Sequence, residues 1–91
     1  MKTIHKVEIE LDDSPAPINI KGLFQILKFE FQRGKLCMWY MFDDSANITT
    51  NLQLRIFGTG QPINPKENLI HLATVVEPNN PLVWHIFRRS I

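Results

Sequence analysis

The dipeptide Arg33-Gly34, with alternating apolar and polar residues on both sides of it, is the feature of this sequence that most restricts its fold. If these two residues form the centre of a two-residue turn, paired positions on the flanking strands sum to a constant. The period-two alternation then predicts an antiparallel hairpin with one wholly apolar face. The residues paired on that face are Phe31 with Leu36, Phe29 with Met38, and Leu27 with Tyr40.

The other face of this hairpin carries Cys37, Trp39 and Met41 among charged side chains. Such a surface is too apolar to be left bare, and it can be covered by loops of the same chain, another subunit or a ligand. A chain of 91 residues also builds only a small core. We therefore interpret these three residues as a partner interface and predict a homo-oligomer.

The rest of the chain repeats the pattern in short segments separated by turn residues. Alternation over 3–11 and 52–57 predicts half-buried strands, and the apolar, β-branched segment 69–76 is typical of an interior strand. Residues 82–87 form the last predicted strand, and the polar segment 43–51 predicts a loop. These segments indicate an all-β fold, a small antiparallel β-sandwich or partly open barrel of about six strands.

The length predicts a single β domain over residues 1–91. Its core is expected to take the apolar residues of the alternating segments. The side chains predicted to be mostly buried are Val7, Ile9, Leu27, Phe29, Phe31, Leu36, Met38, Tyr40, Leu52, Leu54 and Ile56.

Charge and composition argue against several classes of function. Ten basic and nine acidic residues give a net charge of +1, which does not favour a nucleic-acid partner. The single cysteine cannot close a disulfide within the chain, which favours a reducing cytoplasm. No segment approaches the ~20 apolar residues of a membrane span, and residues 1–6 lack the apolar run of a signal peptide. We expect a cytoplasmic protein that contacts no membrane.

Two groups of polar residues are candidate ligand-binding positions. Arg55 and Thr59 flank the glycine-rich corner 58–60 and are suited to grip a carboxylate or phosphate. The alternative is a bulge or turn that needs a positive φ at glycine. Trp84 and His85 are suited to stack a base or to offer a protein-binding edge.

Neither a metal site nor a catalytic site is predicted. If Val76 lies near Leu82 in a terminal hairpin, His71 and His85 become near-diagonal neighbours on one face, which leaves a contact between two histidines open. The chain nevertheless lacks the paired ligand spacing of a zinc site, so neither metal nor cofactor is expected. Its acidic residues fall in predicted turns and form no convergent pair, so we expect no enzyme.

Four segments of the chain together resemble a family of small uncharacterised proteins carried by phages and prophages. These segments are MKTI at 1–4, GKLCMW at 34–39, RIFGTGQPI at 55–63 and LVWHIF at 82–87. The sequence departs from that family at 14–17 and at its basic end, where acidic residues are expected in relatives. The resemblance implies a phage or mobile-element origin and brings no catalytic residues with it.

Together these features predict a non-enzymatic protein that docks on and modulates a host protein in the host cytoplasm, for example in counter-defence. The alternative is a homo-oligomer that sequesters a small anionic ligand, such as a nucleotide signal, through Arg55, Thr59, Trp84 and His85. The sequence leaves the identity of the partner or ligand open.

Overall fold

The structure, a computed structural model, describes residues 1–90 and, apart from that of Leu23, their side chains. Three antiparallel sheets have the strand orders β1-β4-β3, β2-β5 and β6-β8-β7. The strands are β1 (Lys2–Ile9), β2 (Ile18–Lys21), β3 (Leu23–Gln32), β4 (Lys35–Asp43), β5 (Thr49–Leu52), β6 (Leu54–Gly58), β7 (Leu69–Val76) and β8 (Val83–Arg89). The predicted all-β class is confirmed. No segment of 1–90 forms a helix that could cross a membrane.

The hairpin of β3 and β4 has the predicted turn. Gln32 pairs with Lys35 across Arg33 and Gly34, whose φ values are 52° and 78°. Left-handed values at both central residues are those of a type I′ turn, whose twist matches that of the flanking strands. The pairs Phe31–Leu36 and Phe29–Met38 are therefore in the predicted register.

Leu27 departs from that register because it is the extra residue of a β-bulge. Lys28 pairs with Trp39, but the next pair joins Ile26 to Tyr40 and leaves Leu27 without a partner. The prediction that Leu27 is buried opposite Tyr40 is wrong, since Leu27 is 45% exposed. A bulge inserts one residue into the alternation, so Ile26 packs against the core instead.

The structure has eight strands where about six are predicted, and two of the boundaries between strands consist of a single residue. Gly22 separates β2 from β3, and Gln53 separates β5 from β6. The predicted loop 43–51 is accordingly too long, since residues 49–51 belong to β5 and pair with β2. The small β2-β5 sheet is thus formed by the strand that precedes β3 and the strand that precedes β6.

The core lies where the inner faces of the three sheets meet. Apart from the exposed Leu27, the predicted core residues are buried or half-buried. The core cluster consists of Ile9, Ile20, Phe29, Phe31, Leu36, Met38, Leu52, Leu54, Ile56 and Ile86. Val7 and Tyr40 are half-buried and pack against it.

Strand β7 is an outer strand of its sheet, so the prediction of an interior strand at 69–76 is wrong. Its apolar character has another cause, because β7 runs beside β3 across a shallow cleft of about 320 Å³. Leu72 is a second bulge, since His71 pairs with Phe87 and the next pair is Ala73 with Ile86. Leu27 and Leu72 both line the cleft, so each of the two facing strands carries its bulge there.

The turn after β4 is closed by the Asp43 carboxylate. Asp43 Oδ1 accepts hydrogen bonds from Ser45 Oγ at 2.6 Å and from the Ser45 amide at 3.0 Å. The Ser45 hydroxyl is the main cause of a lowered pKa of Asp43, followed by the Ser45 amide. Asp43 therefore stabilises the fold above its unfolded pKa, and this contribution is lost as pH falls through the folded pKa.

Replacing Ser45 by alanine is expected to raise the pKa of Asp43, because it removes the strongest hydrogen bond to the carboxylate. A carboxyl-detected NMR titration of wild type and Ser45→Ala measures the change. Ser45→Thr keeps a hydroxyl and is expected to restore the lower value. An Asp43 pKa that is the same in Ser45→Ala and wild type contradicts the assignment.

Candidate functional site

The outer face of the β1-β4-β3 sheet carries the predicted partner interface, and we call it the Trp39 face. The residues of this face alternate along each strand with residues that point to the core. The Trp39 face consists of Ile4, Lys6, Glu8, Lys28, Glu30, Cys37, Trp39 and Met41. Cys37 is only 1% exposed, whereas Trp39 and Met41 are half-buried. A partner at this face can therefore reach Trp39 and Met41, while Cys37 is covered by its own chain.

Charged side chains surround the apolar centre of the Trp39 face. Lys6 Nζ donates a hydrogen bond to Gln32 Oε1 at 2.7 Å, and because Lys6 and Gln32 lie on β1 and β3, this bond crosses over β4. Lys28 and Glu30 form an exposed ion pair at 3.1 Å. Ile4 pairs with Met41 and is 64% exposed, so the apolar centre extends to the β1 edge. An apolar centre within a charged rim is the usual composition of a protein interface.

The outer face of the β6-β8-β7 sheet brings together three of the four predicted ligand-binding residues, and we call it the His85 face. It consists of Arg55, Phe57, Thr59, His71, Thr74, His85 and Phe87. The fourth predicted residue, Trp84, packs against the core on the other side of the sheet. Trp84 Nε1 donates to Glu77 Oε1 at 3.4 Å, so its polar edge is also held within the chain.

Arg55 is held by groups of its own chain. Its Nη2 donates to Glu67 Oε2 at 3.1 Å, and its Nε lies 2.9 Å from Glu67 Oε1 in the same ion pair. Its Nη1 donates to the carbonyl oxygen of Asp13 at 3.1 Å. Arg89 Nη2 lies 3.4 Å from the same Glu67 carboxylate and is 43% exposed. The positive charge at Arg55 is therefore already neutralised, and Arg89 is the more accessible cation.

The corner after β6 is a tight turn. The Gly58 amide donates to Gln61 Oε1 at 3.0 Å, and the Gln61 amide donates to the Gly58 carbonyl at 3.1 Å. Gly60 has a φ of 89°, which matches the expected alternative of a turn requiring a positive φ. The Gly58 N–H, which an anion would need, is thus bonded to the side chain of Gln61.

A chain of hydrogen-bonding side chains runs across the His85 face. His85 Nε2 lies 2.9 Å from Thr59 Oγ1, and His85 Nδ1 lies 3.1 Å from Thr74 Oγ1. Thr74 Oγ1 also lies 3.0 Å from His71 Nε2. His71 meets the Phe87 ring edge-on, with 5.1 Å between ring centroids. His71 and His85 therefore share one face, and Thr74 joins them. Val76 pairs with Val83 and not with Leu82, so the common face depends on the bulge at Leu72.

Thr74 and Glu67 have no signal in the sequence. His71 and Thr74 are three residues apart, so a regular strand would place them on opposite faces, and the bulge at Leu72 brings them to the same face. Glu67 lies in the loop after β6, where alternation gives no information. Within residues 1–90 no group of three or more His, Cys, Asp or Glu side chains is arranged to hold a metal ion.

A protein family described as a domain of unknown function, DUF7352, matches residues 1–91. The chain belongs to the DUF7352 family. The family match covers this chain from residue 1 to residue 91, in agreement with the prediction that the chain belongs to an uncharacterised family. No curated protein matches the DUF7352 chain, and no solved structure does.

Proposed function

We propose that this DUF7352 chain is a non-enzymatic binding protein of a phage or mobile element, which docks on a host protein through the Trp39 face and modulates it, for example in counter-defence. The observation that carries the proposal is the apolar centre of this face. Trp39 and Met41 are half-buried and Ile4 is exposed, all within a rim of charged side chains. Tryptophan in such a setting is a typical anchor of protein interfaces.

Three acidic residues support binding over catalysis, because the contacts of their carboxylates are structural. Asp43 caps the turn at Ser45. Glu67 is paired with two arginines. Glu77 accepts a hydrogen bond from Asn80 at 2.8 Å. A catalytic acid or base has to direct its carboxylate at a substrate, whereas these carboxylates are directed at their own chain.

The second candidate function is sequestration of a small anionic ligand at the His85 face. The observation that favours it is the grouping of Thr59, His85 and the exposed Arg89 on one sheet. It ranks second because Arg55 is already neutralised by Glu67 and because the Gly58 amide is already bonded.

We also propose that the chain forms a homo-oligomer by pairing along the edge of β1. Within residues 1–90, β1 pairs with β4 alone, so its other edge is free to add a strand. If two β1 strands pair antiparallel with Val7 opposite Val7, Lys6 lies opposite Glu8 in both halves. Each such pair is then favourable, and the Trp39 faces of two copies become continuous.

Replacing Ile4 by glutamate or Trp39 by alanine is expected to reduce capture of a host protein at least about tenfold, because either change removes apolar contact from the Trp39 face. The measurement is retention of host proteins on the immobilised chain, quantified by mass spectrometry together with released small molecules. Val76→Glu is the matched control, since Val76 is 62% exposed against 64% for Ile4 but belongs to β7. Capture by Val76→Glu is expected to equal that of wild type.

The same experiment separates the two candidate functions. Arg89→Gln is expected to leave protein capture unchanged and to remove any retained small anion, because Arg89 is the accessible cation of the His85 face. Light scattering on each variant distinguishes loss of docking from loss of the oligomer. Unchanged protein capture by both Ile4→Glu and Trp39→Ala overturns the Trp39 face as the docking surface.

A further inference from the structure

Two imidazole nitrogens converge on a single point of the His85 face. His71 Nε2 and His85 Nδ1 lie 3.0 and 3.1 Å from the same atom, Thr74 Oγ1. Zinc and neighbouring divalent cations bind imidazole nitrogen at about 2.0–2.1 Å, so two nitrogens directed at one small hydroxyl flank a position that such an ion could take. Rotation of the exposed Thr74 side chain would open this position to a cation.

The surroundings of His85 permit the tautomer that metal binding at Nδ1 requires. A metal bound at Nδ1 needs the proton on Nε2, and Thr59 Oγ1 lies 2.9 Å from Nε2, where it can accept that hydrogen bond. Such an outer hydrogen bond is the usual device that orients a metal-binding histidine. On the other side, the edge-on contact with Phe87 orients the His71 ring.

The neighbouring charged groups do not attract a cation, because Arg55 and Arg89 share the single carboxylate of Glu67 and these three residues keep a net charge of +1. The affinity of the site therefore depends on its imidazole ligands. His71 and Thr74 are exposed, so an ion can enter directly from solvent.

We propose that His71 and His85 form a two-imidazole site for a late first-row divalent cation, Zn²⁺ or Cu²⁺, with water completing the coordination. His71 Nε2 and His85 Nδ1 are the protein ligands, and Thr59 is a positioning residue. This site is independent of docking through the Trp39 face. The general order of affinity of first-row divalent metals for a given set of ligands predicts that Cu²⁺ binds here more tightly than Zn²⁺.

The test is titration of the whole chain with Zn²⁺ or Cu²⁺ alone, with affinity read by calorimetry and location by NMR of the histidine rings. His71→Ala and His85→Ala are each expected to weaken binding at least about tenfold, because each leaves one protein ligand. His5→Ala is the matched control and is expected to bind as wild type, since His5 packs on Tyr40 and Phe42 in the other large sheet.

Thr59→Val tests the positioning role and is expected to weaken binding about tenfold while both ligands remain. His71→Gln and His85→Gln serve as ligand variants if an alanine variant does not fold. Zn²⁺ is expected to shift the ring signals of His71 and His85 and to leave those of His5 in place. Equal affinity of wild type and the histidine variants, or equal shifts at all three rings, overturns the site.

Discussion

Replacing Gly22 by alanine is expected to destabilise the fold by about 3 kcal/mol or more, since it adds a steric overlap to backbone strain. Gly22 has a φ of 94°, and a Cβ at this position would overlap the carbonyl oxygen of Asp43. Its amide also donates to the Ile48 carbonyl oxygen at 2.6 Å, which fixes the backbone there. Backbone atoms on both sides leave little room for relaxation.

Gly60→Ala is the matched control for this substitution. Gly60 has a φ of 89°, but an added Cβ would meet no atom within 4 Å, so its expected cost is about 1 kcal/mol from backbone conformation alone. Urea unfolding of both variants, compared at unchanged m value, measures the difference. Equal losses in the two variants contradict the close approach of Gly22 to β4.

Leu36→Ala is expected to cost about 2–5 kcal/mol, because it opens a cavity in the centre of the fold. Leu36 is 1% exposed and pairs with Ile9 on one side and Phe31 on the other. Leu27→Ala makes the same chemical change at the bulge, where the side chain is 45% exposed, and is expected to cost less than about 1 kcal/mol. The measurement is again urea unfolding, and similar costs for the two variants would show that Leu27 belongs to the core.

The contrast between Leu36 and Leu27 shows which part of the strand register the alternation of apolar and polar residues predicts. From Phe29 to Met38 the period-two pattern and the Arg33-Gly34 turn predict each pair correctly. Beyond Lys28 the pattern fails, because a bulge shifts the register without a change in composition. Gly22 is predictable as a break between two strands because it is a glycine. Gln53 has no such property, although β5 ends before it and β6 begins after it.

The candidate sites follow the same division. Cys37, Trp39 and Met41 alternate on one strand, so their common face is predictable, although the burial of Cys37 is not. Trp84 and His85 are consecutive in β8, so a regular strand points them to opposite faces.

The alternation of apolar and polar residues does not predict contacts made by loops and bulges. The ion pair of Arg55 with Glu67 joins β6 to the loop that follows it. The contact of Thr74 with both histidines depends on the bulge at Leu72. The sequence thus indicates which residue types are present on the His85 face, while these two tertiary features decide which atoms meet.

The small β2-β5 sheet, whose strands end at the single-residue breaks Gly22 and Gln53, connects the two large sheets. On one side β2 continues into β3, on the other β5 continues into β6, and β2 pairs with β5 between them. If the β1-β4-β3 sheet opens, the displacement passes through β2 to β5 and from there to β6. We therefore expect the two large sheets to unfold as one unit in hydrogen exchange, because they are joined covalently and by the hydrogen bonds of the β2-β5 sheet.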